Sequence, residues 1–267
     1  MSPETGPVLD RIVARVRERL AEEQARVPEA ALRERIAPDR GTASLAASLS
    51  GGGVRVIAEV KYRSPSAGSF GQAAPPERIA AAYAAAGAAA VSVVTEPDFF
   101  GGALEFLDRV RGAAPVPVLR KDFILEPYQL LQAAAHGADA VLLIAAVLSE
   151  TDLAALLDLA EALDLECLVE VHTETDLEKA LAAGALLVGV NNRNLADFSV
   201  DVETTRRLTP PALAGGALVV SESGLGDRAT LEALSALGVS GFLIGTHFMG
   251  QPDPGAALAA LLAGGIP

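Results

Sequence analysis

The sequence predicts an α/β protein in which eight strand–helix units close into one barrel behind an N-terminal helical extension. The chain has 267 residues, of which 51% are hydrophobic, enough to fill the core of one such domain. Short aliphatic runs alternate with helical patterns, and a glycine precedes every second run. We expect residues 1–53 to form the extension, packed on the barrel, and residues 54–267 to form a (β/α)8 TIM barrel, together as a single domain.

The first predicted element is an amphipathic helix near the N-terminus. Its apolar residues share one face at helical spacing, with Arg and Glu elsewhere: Leu9, Ile12, Val13, Val16 and Leu20. A Ser/Gly-rich stretch from Ser48 to Gly53 is then expected to end the extension.

Eight runs of aliphatic or β-branched residues follow at intervals of roughly 25 residues. They begin near Val56, Val91, Val116, Ala140, Cys167, Leu187, Ala217 and Gly241, and a last helix begins near Pro254. A glycine suited to end a helix with positive φ stands just before the second, fourth, sixth and eighth runs: Gly87, Gly137, Gly184 and Gly238. This recurrence favours a closed barrel over a doubly wound open sheet.

Composition limits the environment and the partners of the chain. The net charge is −13, from 21 basic and 34 acidic residues, which disfavours binding to nucleic acid or to an anionic membrane. Cys167 is the single cysteine, so an intrachain disulfide is impossible and a reducing compartment fits. No secretory signal or membrane-spanning stretch is visible. We expect a cytoplasmic enzyme without nucleic-acid or membrane partners, working as a monomer, with a dimer as the alternative.

Polar side chains fall at the ends of several predicted strands, where the active residues of such barrels lie. Glu59 and Lys61 are two residues apart in the first strand and so share one face. A charged pair in an apolar strand is costly without a partner or a purpose. The other candidates at strand ends are Lys121, Glu170, Asn191, Arg193, Glu222, Ser223 and Thr246. A single residue of this kind near a strand end is most often a solvated loop residue, but the coincidence of several predicts an active site.

The residue types indicate the chemistry. Lysines near glutamates in a partly desolvated barrel mouth can be tuned as acid and base. Gly224 and Gly245, after the seventh and eighth strands, suit backbone N–H contacts to a phosphate, with plain turn residues as the alternative. Lys61, Lys121 and Arg193 supply the local positive charge that the acidic chain lacks. The sequence therefore predicts an enzyme acting on a small phosphorylated anion.

The histidines and the cysteine show no spacing typical of metal ligands, so we expect no metal. Cys167 lies inside a predicted strand and is interpreted as core. His172 ends the fifth strand and is a candidate neighbour of the site, and His247 is a candidate ligand contact. A purely structural role is the alternative for both histidines.

Taken together, the strand-end segments resemble those of the indole-3-glycerol phosphate synthase family, and the resemblance covers essentially the whole chain. The matching segments are 58–61 with 64–66, 92–97, 120–124, 168–172, 189–195, 221–224 and 243–246. Thr246 stands where the family often has serine, and His247 and Phe248 follow where small residues are more usual.

This resemblance implies a reaction. The substrate, 1-(2-carboxyphenylamino)-1-deoxyribulose 5-phosphate, closes a ring and loses CO2 and water to give indole-3-glycerol phosphate in tryptophan biosynthesis. No metal and no organic cofactor are implied. The resemblance makes Lys121 the general acid that activates the substrate carbonyl and Lys61 an acid in dehydration that also contacts the substrate anion. It makes Glu170 a general base, and Glu59 the residue that sets the lysine charges and assists proton transfer.

The resemblance also implies how the substrate is held. Asn191 and Glu222 position it, and Arg193 pairs with the anthranilate carboxylate. The phosphate and hydroxyl contacts implied are Ser64, Ser223, Gly224, Gly245 and Thr246. An apolar slot for the aromatic ring is implied for Pro65, Phe100, Phe123, Leu142, Leu195 and Leu243, with plain barrel core as the alternative.

Three other functions stay open at this point. A lysine-dependent aldolase on the same fold would form a Schiff base at Lys61 or Lys121, although the acidic pair and Arg193 favour the synthase. An isomerase from neighbouring steps of histidine or tryptophan synthesis would be expected to carry paired Asp or Cys/Asp at strand ends, which this sequence does not show. A non-catalytic phosphate-binding barrel would be expected to have lost some of the lysines or glutamates.

Overall fold

The computed structural model describes residues 7–71, 74–194 and 198–264. Within these residues, eight parallel strands form a closed barrel. They are β1 Val56–Val60, β2 Ala90–Val94, β3 Val118–Lys121, β4 Ala140–Ile144, β5 Glu166–Val171, β6 Leu187–Asn191, β7 Leu218–Glu222 and β8 Gly241–Ile244. Each strand pairs with the next, and β1 pairs with β8, so the predicted (β/α)8 barrel is confirmed.

Helices precede the barrel and connect its strands. Before β1 the chain forms α1 Pro7–Arg26, α2 Glu29–Arg35 and α3 Leu45–Leu49. The helices after it are α4 Pro76–Ala85, α5 Pro97–Phe100, α6 Phe106–Arg111, α7 Pro127–Ala135, α8 Glu150–Ala162, α9 Glu174–Ala182, α10 Glu203–Ala214, α11 Arg228–Ala236, α12 Thr246–Met249 and α13 Pro254–Leu262. A short hairpin, Arg63–Ser64 with Gly68–Ser69, lies in the loop after β1.

The barrel interior is built in layers, because successive strand residues point to opposite faces. The odd-numbered strands contribute a buried apolar layer, Ile57, Leu119, Leu168 and Val220. Two residues further along the same strands stand Glu59, Lys121, Glu170 and Glu222, which we call the charged layer. Between the two layers the even-numbered strands place Ser92, Leu142, Gly189 and Leu243. Ser92, Gly189 and Leu243 are each in register with a member of both layers, and Leu142 is in register with Leu168 of the apolar layer.

Two helices of the extension pack on different parts of the barrel. Leu45 and Leu49 of α3 are fully buried among the lower barrel residues, so α3 seals the bottom of the barrel. The predicted apolar face of α1 packs instead beside α7, where Ile12 and Val16 cluster with Tyr128. The burial of that face explains why α1 forms although the helix is otherwise polar.

The boundaries depart little from the predicted ones. Strand starts differ by two residues at most, as at β3, which begins at Val118 and not at Val116. The glycines predicted to end helices have φ of +94°, +77°, +91° and +108° at Gly87, Gly137, Gly184 and Gly238. One expectation is corrected: Ser48 does not begin the Ser/Gly turn but lies within α3, because burial of Leu49 extends the helix.

None of the described helices combines the length and the apolar character needed to cross a bilayer.

Candidate active site

A cavity of about 470 Å³ lies at the C-terminal ends of the strands. The predicted site residues that line it are Glu59, Lys61, Ser64, Pro65, Phe100, Lys121, Phe123, Leu142, Glu170, Asn191, Arg193, Glu222, Ser223, Gly224, Leu243, Gly245 and Thr246. Leu195, predicted for the apolar wall, lies outside the described residues. Strand ends distant in sequence thus meet at one cavity, as barrel closure requires.

The charged layer forms the floor of this cavity. The ammonium nitrogen of Lys121 lies 3.4 Å from Oε2 of Glu59 and 3.7 Å from Oε2 of Glu222. On the other side of Glu59, the Nζ atom of Lys61 is 2.6 Å from Oε1. Both glutamates are almost fully buried, so the charges of the two lysines and of Glu59 are compensated by each other and not by water. Two of the three lysines in the chain therefore meet at a single carboxylate.

Mutual compensation sets the protonation of Glu59 and Lys121. Burial alone would raise the pKa of Glu59, but the charges of Lys61 and Lys121 overcome it and lower that pKa to about 2. Burial alone would lower the pKa of Lys121, but Glu59, Glu222 and Glu170 reverse the effect and hold it above its ordinary value. At neutral pH, Glu59 is therefore ionised and Lys121 is protonated.

Glu222 behaves in the opposite way. Burial and the nearby charge of Glu170 raise the pKa of Glu222 to about 8, against the lowering effect of Lys121. Neighbouring carboxyl groups in a buried site cannot easily both ionise. Glu222 can therefore hold a proton near neutral pH, as acid–base chemistry requires.

His172, the candidate neighbour of the site, contacts Glu170. Its Nε2 atom is 3.4 Å from Oε1 of Glu170, and neither ring nitrogen has a hydrogen-bond partner among the described residues. His172 thus lies next to the carboxyl group of Glu170. Within the described ranges, no group of three or more His, Cys, Asp or Glu side chains is placed to hold a metal ion.

The loops after β7 and β8 form the side of the cavity predicted for phosphate. Ser223 and Gly224 both adopt left-handed backbone conformations, with φ of +67° and +73°, a turn of the kind that exposes successive backbone N–H groups. Gly245 immediately precedes α12. The Nζ atom of Lys61 lies 3.5 Å from the hydroxyl of Thr246, so one cation serves both the charged layer and this side of the cavity.

The two residues that depart from the family pattern after Thr246 point in different directions. Phe248 is fully buried, with its ring 5.9 Å from that of Tyr83, and so belongs to the packing around the barrel. His247 lines the cavity, with its ring against Gly226. A ligand contact by His247 stays a prediction.

The remaining predicted contacts lie along the cavity wall. Oδ1 of Asn191 accepts a hydrogen bond from the backbone N–H of Arg193 at 3.0 Å, and Arg193 donates to the carbonyl of Phe198 at 3.0 Å. The rings of Phe100 and Phe123 are 6.0 Å apart. With Pro65, Leu142 and Leu243 on the same wall, they form an apolar surface that suits a flat aromatic group.

Sequence reasoning missed several residues of the site. Val8, Leu9 and Ile12 of α1 line the cavity, as do Glu96 and Asp122. The amphipathic pattern of α1 showed which face is buried but not what it covers. Glu96 has a local explanation, because its carboxylate caps α5 by accepting from three backbone N–H groups.

Asn192 is a further residue of the site region for which no role was predicted. Its side-chain amide donates to the carbonyl of Ser223 at 3.0 Å, and its Oδ1 atom accepts from the hydroxyl of Thr205 at 2.7 Å. Asn192 thereby ties α10 to the turn after β7. The preceding residue, Asn191, lines the cavity, because successive residues at the end of a strand point to opposite faces.

An ionic cluster fixes α1 over the cavity. Nη1 of Arg19 is 2.9 Å from Glu96 and 2.8 Å from Asp98, and Nη2 is 3.9 Å from Asp122. Glu96 and Asp122 are nearly fully buried, which makes loss of their partner costly. Because Asp122 directly follows Lys121, the anchor of α1 is adjacent to the charged layer.

Comparison with known proteins agrees with this geometry. A family model described as indole-3-glycerol phosphate synthase matches residues 9–261. A curated relative of that name from Campylobacter curvus is 44% identical, over 92% of this chain and 95% of its own length. Indole-3-glycerol phosphate synthase 1 from Streptomyces coelicolor is 46% identical, over 97% and 96%. A relative from Carboxydothermus hydrogenoformans is 46% identical, over 79% and 80%.

Solved structures of lower sequence identity share the fold. A 3-hexulose-6-phosphate synthase aligns with a TM-score of 0.59 at 18% identity, over 80% of this chain and 99% of that chain. A mandelate oxidase aligns with a TM-score of 0.58 at 17% identity, over 79% and 70%. At such identities the likeness concerns the barrel alone.

Proposed function

The chain belongs to the indole-3-glycerol phosphate synthase family, and on this premise we propose that the cavity carries out the reaction of that family with Lys121 as its general acid. The substrate is 1-(2-carboxyphenylamino)-1-deoxyribulose 5-phosphate, and the enzyme is a decarboxylating carbon–carbon lyase of tryptophan biosynthesis. The observation that carries the proposal is the Lys121 ammonium group, held between the buried carboxyl groups of Glu59 and Glu222 on the cavity floor.

Ring closure is the step in which Lys121 acts. The aromatic carbon that bears the carboxylate attacks the ketone carbon, and the ketone oxygen takes a proton from Lys121 as the new C–C bond forms. The raised pKa keeps Lys121 protonated beforehand, and the developing alkoxide is basic enough to take the proton. Positive charge then appears at the aniline nitrogen, where the carboxylates of Glu59 and Glu170 stabilise it.

Decarboxylation and dehydration complete the indole. The bond to the carboxylate breaks, CO2 leaves, and the bonding electrons restore the aromatic ring. The new hydroxyl leaves as water with a proton from Lys61, while Glu170 removes a proton from the adjacent carbon. Lys121 and Lys61 each donate one proton, and Glu170 takes one back. The net uptake of one proton balances the loss of the negative charge of the carboxylate, which leaves as neutral CO2.

Substrate is held at both ends. Ser223, Gly224, Gly245 and Thr246 contact the phosphate, with Ser64 from the loop after β1, and Arg193 pairs with the anthranilate carboxylate. Asn191 and Glu222 position the reacting chain. The apolar wall of Phe100, Phe123, Leu142 and Leu243, with Leu195 as its predicted extension, packs on the aromatic ring. Fixing both ends orients the ring carbon toward the ketone.

The aldolase alternative needs a neutral lysine amine as nucleophile. The carboxylates around Lys121 stabilise its protonated form, which favours an acid over a Schiff-base nucleophile. Borohydride reduction in the presence of substrate distinguishes the two, because a Schiff base would leave a stable adduct on Lys61 or Lys121.

The test is a fluorescence assay for the indole product with purified protein, without added metal or cofactor. We expect turnover by the wild type and loss of at least about 10³-fold in kcat for Lys121→Ala, in the range of removing a general acid–base group. Lys179→Met is the matched control, since Lys179 lies in α9 and donates to the backbone carbonyl of Leu148. Near-normal turnover by a folded Lys121→Ala variant would refute its role as the acid.

We further propose that the enzyme works in the cytoplasm as a monomer whose N-terminal residues 1–53 pack on the barrel formed by residues 54–267. The single cysteine and the charge of −13 support a reducing compartment and mutual repulsion between chains. Light scattering tests the oligomeric state: a mass near 27.3 kDa agrees with a monomer, and twice that mass indicates a dimer.

A further inference from the structure

Gly189 in β6 lies directly below the charged layer. Its Cα is in register with Glu170 on β5 and with Val220 on β7, and it faces the barrel interior. A Cβ atom added at Gly189 would collide with Oε1 of Glu222 and would lie 3.3 Å from Cδ1 of Leu168. The carboxylate of Glu222 therefore occupies the space that any side chain at Gly189 would fill.

The same relation recurs on the opposite side of Lys121. A Cβ atom at Gly245 would collide with Oε1 of Glu59 and lie 2.9 Å from its Cδ atom. Both carboxyl groups that contact Lys121 thus lie against a glycine: Glu222 against Gly189 within β6, and Glu59 against Gly245 directly after β8. Leu142 and Leu243, which occupy the same level as Gly189 in β4 and β8, carry large side chains and line the cavity.

We propose that Gly189 is a positioning residue for the synthase reaction: its missing side chain lets the Glu222 carboxylate lie where it holds the Lys121 ammonium group toward the cavity. The inference rests on the roles proposed above for Lys121 and Glu222. Gly189 touches neither substrate nor the reacting atoms and acts only through Glu222. Gly245 serves Glu59 in the same way, but its proposed phosphate contact makes it unsuitable for a clean test.

The geometry predicts that alanine at this position spares the fold and harms the chemistry. Gly189 lies inside a regular strand, where any residue can adopt the backbone conformation. The atom in the way is the end of a flexible side chain, so Glu222 moves and the strand does not. A shift of Glu222 changes its 3.7 Å contact with Lys121, and displacing a catalytic group by about 1 Å can reduce the rate by about 10²-fold.

The experiment compares Gly189→Ala with Gly241→Ala. Gly241 also faces the barrel interior, and a Cβ there would meet Cδ2 of Leu49 at 2.7 Å, at the bottom of the barrel. We expect Gly189→Ala to lower kcat by about 10- to 100-fold with a KM change below about threefold, and to alter the pH profile of kcat. Gly241→Ala should leave kcat and KM unchanged, whatever it does to the melting temperature.

A double-mutant cycle with Glu222→Asp tests whether the effect passes through Glu222. The shorter side chain withdraws the carboxylate from the added methyl group, so Gly189→Ala should cost much less in the Glu222→Asp background than in the wild type. Independent residues would show equal factors in both backgrounds.

Equal factors, or unchanged kcat in a folded Gly189→Ala variant, would overturn the inference. A wild-type protein without synthase activity would instead refute the proposed function itself, so the two failures are distinguishable.

Discussion

At the scale of single residues, Glu59 and Glu222 contact the same ammonium group but bind protons with opposite strength. Glu59 lies between two lysines, and their charges outweigh its burial. Glu222 shares one lysine with other carboxylates and faces Glu170, so burial prevails. A buried carboxylate is thus made a permanent anion or a proton holder by the balance of its neighbours.

This difference predicts opposite effects of pH on stability. The pKa of Glu222, about 8 in the folded state, exceeds its ordinary value of 4.5. The contribution of Glu222 to the free energy of unfolding is therefore full below its ordinary pKa and is lost as pH rises toward 8. We therefore expect Glu222→Gln, which cannot ionise, to gain unfolding free energy relative to the wild type as pH rises across that window. Urea unfolding over a pH series measures the difference.

Glu59→Gln is the matched variant, and its unfolding free energy relative to the wild type should change with pH in the opposite direction. The pKa of Glu59 is about 2, so its contribution is present above its ordinary value of 4.5 and is lost as pH falls toward 2. Glu59→Gln should be least stable, relative to the wild type, near neutral pH, and the difference should shrink in acid. A Glu222→Gln variant that loses relative stability as pH rises would contradict the assigned protonation.

The sequence predicted the members of the charged layer because strand ends of a closed barrel must meet. It did not predict Gly189. A glycine inside a strand indicates a bulge or a close approach without identifying what approaches, and only the positions of Glu222 and Gly189 in three dimensions supply that answer.

At the scale of elements, α1 packs against the barrel and also forms part of the cavity wall. Its apolar residues bind it to α7, while Val8, Leu9 and Ile12 reach the cavity. Arg19 anchors the helix to Glu96 in the loop after β2. The guanidinium group of Arg19 therefore helps to set the position of this wall, together with the apolar contacts to α7.

We expect Arg19→Ala to raise KM more than it lowers kcat. Loss of the guanidinium group leaves Glu96 and Asp122 buried without this partner, which is strongly unfavourable, and α1 should move away from the cavity. A KM increase of about tenfold corresponds to about 1.4 kcal/mol of lost binding. Steady-state kinetics check this, with Arg17→Ala, an exposed residue of the same helix, as the control. If kcat falls strongly while KM is unchanged, Arg19 acts on the residues of the charged layer and not through the position of α1.

At the scale of the whole molecule, the fold was predictable because its period is repeated. Eight alternations and four helix-ending glycines at fixed intervals leave few topologies. The closure of the barrel bottom by α3 was not predictable, since Leu45 and Leu49 lie in a segment too short to show periodicity. Contacts between the extension and the barrel are non-local, and a single sequence without three-dimensional information does not specify them.

The final prediction concerns the electric field of the molecule. The substrate carries a phosphate and a carboxylate, and the protein carries a net charge of −13, so they repel at distances beyond the cavity. Screening shortens that repulsion, because the Debye length falls from about 30 Å at 0.01 M to about 8 Å at 0.15 M ionic strength.

We therefore expect kcat/KM to rise a few-fold as sodium chloride is increased over the same range. Sucrose at equal osmolality, which screens nothing, should leave kcat/KM unchanged. The opposite result, a fall of kcat/KM with salt, would mean that Lys61, Lys121 and Arg193 dominate the approach of the substrate. In that case the local cations would outweigh the charge of the whole surface even outside the cavity.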